Sequence, residues 1–271
     1  MGSGIAQVGS FFGNQIRLVD RDQQCLDRGL ATIQKSLRRI VDKKPEEERG
    51  GIYEETLARI QLGTDLSTLS DCEIVIEAVF ENFDVKSEIL KTLDEVCPAE
   101  TILASNTSSI SITRLAAVTG RAPRVIGMHF MNPVPIMKLV EIIRGLETSD
   151  ATYRITEGLT KSLGKVPVEA NDFPGFVSNR VLLPMLNEAM FAVMEGVASP
   201  QAVDQVMRLG MNHPMGPLQL ADFIGLDVCL DILNVLHDGF KDPKYRPCPL
   251  LRKMVDAGHL GRKSGRGFYE Y

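Results

Sequence analysis

The chain has 271 residues, with 30 Lys and Arg against 35 Asp and Glu for a net charge of −5. That length buries a sizeable core in one large domain or two moderate ones, and the acidic balance speaks against general nucleic-acid binding, which uses a basic face. No apolar run reaches the roughly 18 residues that span a bilayer, and five scattered cysteines without C-x-x-C spacing read as reduced thiols of a cytoplasmic or organelle-matrix protein, with no disulfide frame and no metal site.

MGSGIAQVGSFFGNQIRLVD (Met1–Asp20) sets Gly2 and Gly4 at the head of an apolar helix, followed by a strand over Gln15–Val19 with Asp20 at its tip. A dinucleotide-binding βαβ unit leads a buried strand into G-x-G-x-x-G and places an acidic residue about 20 positions on. Here the strand that would precede the helix is not in the chain. Asp22–Asp42 sets Leu26, Leu30, Ile33, Leu37 and Ile40 at spacings of three or four, a core-facing stripe. KKPEEERGG (Lys43–Gly51) reads as a polar loop and Tyr53–Ile60 as a further amphipathic segment. EIVIEAVF (Glu73–Phe80) reads as a strand, Asn82–Val96 as a helix, and TILASN (Thr101–Asn106) as a strand ending in small polar residues. RVIGMHF and MKLVEII are two more strands, and MNPVP between them turns sharply because proline cannot donate to a ladder.

This alternation predicts a doubly wound, Rossmann-type α/β sheet over residues 1–172. From Phe173 the pattern is helical, with segments at Val177–Gly196, Gln201–Leu209 and Leu218–Gly239 and a break at NHPMGP. Residues 173–271 therefore read as a second, all-helical domain.

Four groups of residues could carry chemistry. Asp20 can accept the ribose hydroxyls of an NAD adenosine and repel a 2′-phosphate, or it can cap the helix that follows. SNTSS (Ser105–Ser109) lies just past a strand's carboxyl end, where open α/β sheets bind ligands, and could equally cap a helix. His129 ends an apolar strand, and Glu141 sits mid-strand between KLV and II, a place too apolar for a carboxylate without a partner. Paired, the two would make a general base with a fixed tautomer, or a purely structural pair. KSLRRIVDKK (Lys35–Lys44), with Ser36 and Lys43 two turns apart on nearly one helical face, is either a solvated surface or a landing site for phosphates.

Together the stretches MGSGIAQ, VIEAVFENFDVK, ASNTSSISIT, GMHFMNPVPIMKLVEII, DFPGFVSNR, NHPMGPLQLADFIGLD and GRKSGRGFYEY resemble the 3-hydroxyacyl-CoA dehydrogenase family, near its 3-hydroxybutyryl-CoA branch, in order through the whole chain. The resemblance implies hydride transfer between the 3-hydroxyl carbon of an acyl-CoA and NAD. His129 would be the base, Glu141 its orienting partner, and Ser108 and Asn179 the polar groups at the reacting oxygen and thioester. Gly2, Asp20, Glu81, Lys86, Asn132 and Lys263 match positions at the NAD site, and Ser36, Lys43 and Ser108 match positions that meet the CoA substrate. It also implies a cleft between two domains with DFPGF as junction, and a homodimer through the helical domain, to which apolar helices after Gly216 would contribute. No nucleic-acid or membrane partner is expected.

The departure from the family pattern is at the start, where only Met1 and Gly2 match the end of a longer glycine motif. A chain without the central strand and two glycines is expected to be a fragment, a start at an internal methionine, or a shortened isoform, with weak NAD binding and low stability. Two other functions compete. One is a dehydrogenase of free hydroxy or sugar acids on the same fold; the other is a catalytically impaired family member serving as a structural or dimerisation partner.

Overall fold

The computed structural model describes residues 1–271, the side chain of Glu48 aside. The chain divides into two compact units, Met1–Asp172 and Phe173–Tyr271.

The first unit runs α1 (Gly2–Phe11), β1 (Ile16–Val19), α2 (Gln23–Val41), α3 (Ile52–Ala58), β2 (Ile60–Gly63), β3 (Ile74–Glu77), α4 (Phe83–Val96), β4 (Ile102–Ser105), α5 (Ile112–Ala116), β5 (Val125–Phe130), β6 (Leu139–Arg144), α6 (Asp150–Ser162) and β7 (Val166–Asn171). Short polar side chains start the helices by satisfying their first amides: Asp22 accepts from Cys25 N, Asn82 from Val85 N, Ser111 from Arg114 N and Ser149 from Thr152 N. On α2 the fully buried positions are Leu26, Ile33, Leu37 and Val41, with Leu30 and Ile40 flanking them half-buried.

The strands form two sheets, β1-β2 and β3-β4-β5-β6-β7. All pairs are parallel except β5–β6. Among the described residues no ladder joins β1 to β3, so the expected doubly wound sheet is in two parts. Helix α1 ties them together: it packs on β1 and α2, and its Ile5 and Val8 enter the cluster of Ile102, Ala104, Ile126, Met128 and Val140. β5 is buried along its whole length, as its unbroken apolar run requires.

Three expectations change. The amphipathic segment Tyr53–Ile60 is not a single element; α3 covers it as far as Ala58, and Ile60 opens β2, which pairs in parallel with β1. Leu218–Gly239 is not one helix either, because Gly225 at φ 106° breaks it. Ser36 and Lys43 do not share a helical face, since α2 ends at Val41 and Lys43 lies in the turn beyond its cap, Asp42.

The second unit contains α7 (Ser178–Met194), α8 (Pro200–Gly210), α9 (Pro217–Ile224), α10 (Leu226–Phe240) and α11 (Pro249–Asp256). Leu183, Leu186, Leu218, Leu226, Leu233, Leu236 and Leu251 make its core. Two buried aspartates hold the C-terminal segment. Asp222 accepts from Phe268 N, Tyr269 N and the Tyr271 hydroxyl, and Asp204 accepts from the Tyr269 hydroxyl at 2.7 Å. The approach is so close that a Cβ at Gly261 would stand 2.3 Å from Asp222 O, and one at Gly267 2.1 Å from Asp222 Oδ1. No helix among the described residues is long and apolar enough to cross a membrane.

Candidate active site

In the first unit, β3, β4 and β5 are parallel and end on one edge, so Glu77, Ser105 and His129 arrive there on adjacent strands. The antiparallel β5–β6 register sets His129 directly opposite Glu141. His129 Nδ1 and Glu141 Oε2 are 2.8 Å apart, with the histidine 9% and the glutamate 2% exposed. A carboxylate this deep needs a partner, and the ring supplies it. When Nδ1–H donates to Glu141, the neutral ring carries its lone pair on Nε2, the tautomer a general base needs. Asn106, just past β4, accepts from Phe130 N at 2.9 Å and fixes the end of the histidine strand.

A second constellation lies beside it. Lys86 on α4 is 1% exposed, and its ammonium sits 2.8 Å from Glu77 and 3.4 Å from Glu81. Glu77 also accepts from the Ser105 hydroxyl and from Val79 N, each at 2.7 Å. Glu81 gathers the loop after β4: the Thr107 hydroxyl at 2.6 Å, Ser108 N and Ser109 N each at 2.9 Å, and both serine hydroxyls. Burial pulls the Glu81 carboxyl upward, but Thr107, the Lys86 ammonium, Ser109 and Ser108 together hold it below the ordinary carboxylate range. The serine cluster is therefore no helix cap at Ser105–Ser109; Ser111 caps α5.

The donors suit a dinucleotide. Helix α1 starts at Gly2 with no side-chain cap from Met1, and the Gly4 and Ile5 amides donate to Met1 O, so it is the amides of Gly2 and Ser3 that suit an anion. A Cβ at Gly2 would meet Ala78, the residue after β3, at 3.8 Å, which puts this helix start near the strand tips. Asp20 follows β1 directly and is exposed, and its carboxylate accepts from Arg21 N. The cap of α2 is Asp22, leaving Asp20 suited to ribose hydroxyls. Amide donors for a pyrophosphate and an acidic acceptor for a ribose thus occur in one unit.

The structure brings together His129 with Glu141, and Ser108 with Glu81 and Lys86. Asn132 is exposed in the loop between β5 and β6. Ser36 lies on α2, and Lys43 lies past its end. Asn179 and Lys263 belong to the second unit. Asn179 is in the first turn of α7, and Lys263 is in a short turn, 2.5 Å from an Asp227 carboxylate oxygen. Sequence reasoning missed Glu77, Thr107 and Ser109 as partners. The signal was present: VIEAVFE places two glutamates four residues apart just ahead of a hydroxyl-rich loop.

Residues 1–173 match the family model described as 3-hydroxyacyl-CoA dehydrogenase, NAD binding domain, and residues 175–271 match the 3-hydroxyacyl-CoA dehydrogenase C-terminal domain. The chain is 58% identical over 271 residues to a probable 3-hydroxybutyryl-CoA dehydrogenase of Bacillus subtilis, covering 100% of this chain and 94% of the relative. It is 42% identical over 276 residues to the human mitochondrial hydroxyacyl-coenzyme A dehydrogenase, covering 100% of this chain and 88% of that protein. The solved structure of (S)-3-hydroxybutyryl-CoA dehydrogenase PaaH1 from Ralstonia eutropha superposes with a TM-score of 0.97 at 52% identity, covering 100% of this chain and 95% of that one.

Proposed function

The chain belongs to the 3-hydroxyacyl-CoA dehydrogenase family, and we infer that it interconverts short-chain 3-hydroxyacyl-CoA and 3-oxoacyl-CoA with NAD. The observation that carries this reading is the buried His129–Glu141 pair at the strand-tip edge.

NAD, when bound, supplies the hydride chemistry at the substrate's C3. The protein's share is proton transfer and orientation. His129 takes the 3-hydroxyl proton on Nε2 as the C3 hydride departs and returns it in the reverse direction. Glu141 holds the ring and stabilises the imidazolium that forms. Ser108 and Asn179 hydrogen-bond the reacting oxygen and help seat the thioester, a contribution that grows where water is excluded. Gly2, Asp20, Glu81, Lys86, Asn132 and Lys263 line the cofactor site. Ser36 and Lys43 meet the CoA phosphates, a local basic site on an acidic chain. Residues 1–172 serve as the NAD-binding domain and 173–271 as the substrate and dimerisation domain.

A homodimer through the helical domain is supported by its exposed apolar side chains. The helices after Gly216 turn Leu218, Leu226, Leu233 and Leu236 inward but leave Phe223 and Val228 60% and 39% exposed, and Val206, Leu209 and Met211 on and after α8 are 62%, 75% and 61% exposed. Five free thiols support a reducing compartment.

The deciding experiment compares NADH oxidation with acetoacetyl-CoA and with free acetoacetate, in the parent chain and in His129→Gln. Turnover with the thioester alone, lost in the variant, is expected. Preference for the free acid would favour a hydroxy-acid enzyme, and no turnover by the folded parent chain would favour a structural partner.

A further inference from the structure

One buried cation takes no part in the reaction above. Lys165 is 8% exposed and lies between α6 and β7, held by Lys165 N on Thr160 O and by Val166 N on Lys138 O. Its ammonium donates to Val134 O at 2.5 Å and to Met137 O at 2.7 Å. Burial pulls it below the ordinary lysine value. Both carbonyls belong to the loop of residues 131–138, which leaves β5 just after His129 and carries Asn132. The loop also presses on α1. Val134 is 2% exposed, and a Cβ added at Gly4 would stand 3.0 Å from Val134 Cβ. The loop is thus gripped by an ammonium and by the first turn of α1, the turn whose amides suit the pyrophosphate.

We propose, resting on the reading of residues 1–172 as the NAD-binding unit, that Lys165 is a positioning residue for the dinucleotide. It fixes the 131–138 loop as the floor on which the first turn of α1 and Asn132 meet the cofactor. Without the ammonium, two inward-facing carbonyls lose their donor and the floor relaxes, while the β5–β6 register still holds His129 against Glu141.

The test titrates NADH into the full chain by fluorescence and calorimetry, with melting temperatures in parallel. Lys165→Met is expected to raise the NADH dissociation constant about tenfold or more, roughly the cost of one unpaired buried group. Lys165→Gln, whose amide can serve one carbonyl, is expected to lose about threefold and covers the case in which K165M does not fold. Leu93→Ala supplies a control for general destabilisation. Leu93 is 1% exposed near the end of α4 remote from the strand tips, so the melting temperature should fall with NADH affinity unchanged. Among turnover parameters, the KM for NADH should rise more than kcat falls in the lysine variants. Unchanged NADH affinity in a folded lysine variant would overturn the inference, as would an equal affinity loss in Leu93→Ala. Absence of NADH binding by the parent chain would overturn the cofactor reading itself, and the inference with it.

Discussion

His129 and Glu141 face each other across an antiparallel strand pair, ring nitrogen to carboxylate oxygen at 2.8 Å, inside a sheet whose other pairings are parallel. The reversal at β5–β6 is what makes the pair. Two parallel strands would have needed a long crossover; here the short 131–138 loop returns the chain at once and sets the two residues in register.

Glu141→Gln should therefore lower kcat about 10²-fold, within the range for general-base catalysis, with little change in KM for the acyl-CoA. The amide can accept from Nδ1 but cannot stabilise the imidazolium. Steady-state kinetics in both directions measure this, and a KM-dominated defect would assign the pair to substrate binding.

Asp20→Ser should raise kcat/KM with NADPH relative to NADH about tenfold, about 1.4 kcal/mol of relieved repulsion. Asp20 is exposed and does not cap α2, so stability should hardly move. A fall in melting temperature without a change in cofactor preference would identify the carboxylate as structural.

Glu81 gives a pH dependence with a definite sign. Its folded carboxyl lies below the ordinary value of 4.5, so its ionised form stabilises the fold above that value. This contribution is lost as pH falls through the folded value, because the unfolded chain takes up the proton first. Melting temperature measured against pH should drop more steeply below about pH 4.5 in the parent chain than in Glu81→Gln. Parallel curves would show that the donors around Glu81 do not favour its ionised form.

Gly261→Ala should destabilise the helical unit by about 3 kcal/mol, the upper range for forced overpacking. The position has φ 88°, and the new methyl would fall on the Asp222 backbone. Denaturant melts report the loss; a near-neutral result would mean that the turn bearing Lys263 shifts freely.

The sequence by itself determined the local and the alternating: the α2 stripe, the buried run of β5, and the change to helices at Phe173. These follow from the spacing of apolar residues, so neighbours along the chain suffice; which aspartate caps α2 is decided by the structure, which gives Asp22 and not Asp20. The sequence also marked Glu141 as a carboxylate in need of a partner, since KLVEII gives it none locally. Only the tertiary structure decided who the partners are. β2 hides in four residues whose strand identity comes from pairing with β1. Gly225 breaks an otherwise continuous helical pattern by taking a conformation at φ 106°. Glu81 collects Thr107, Ser108 and Ser109 from 26 to 28 positions away, and Lys165 reaches Val134 across 31. Such bonds depend on where the fold brings distant backbones together and excludes water, and no local spacing encodes that.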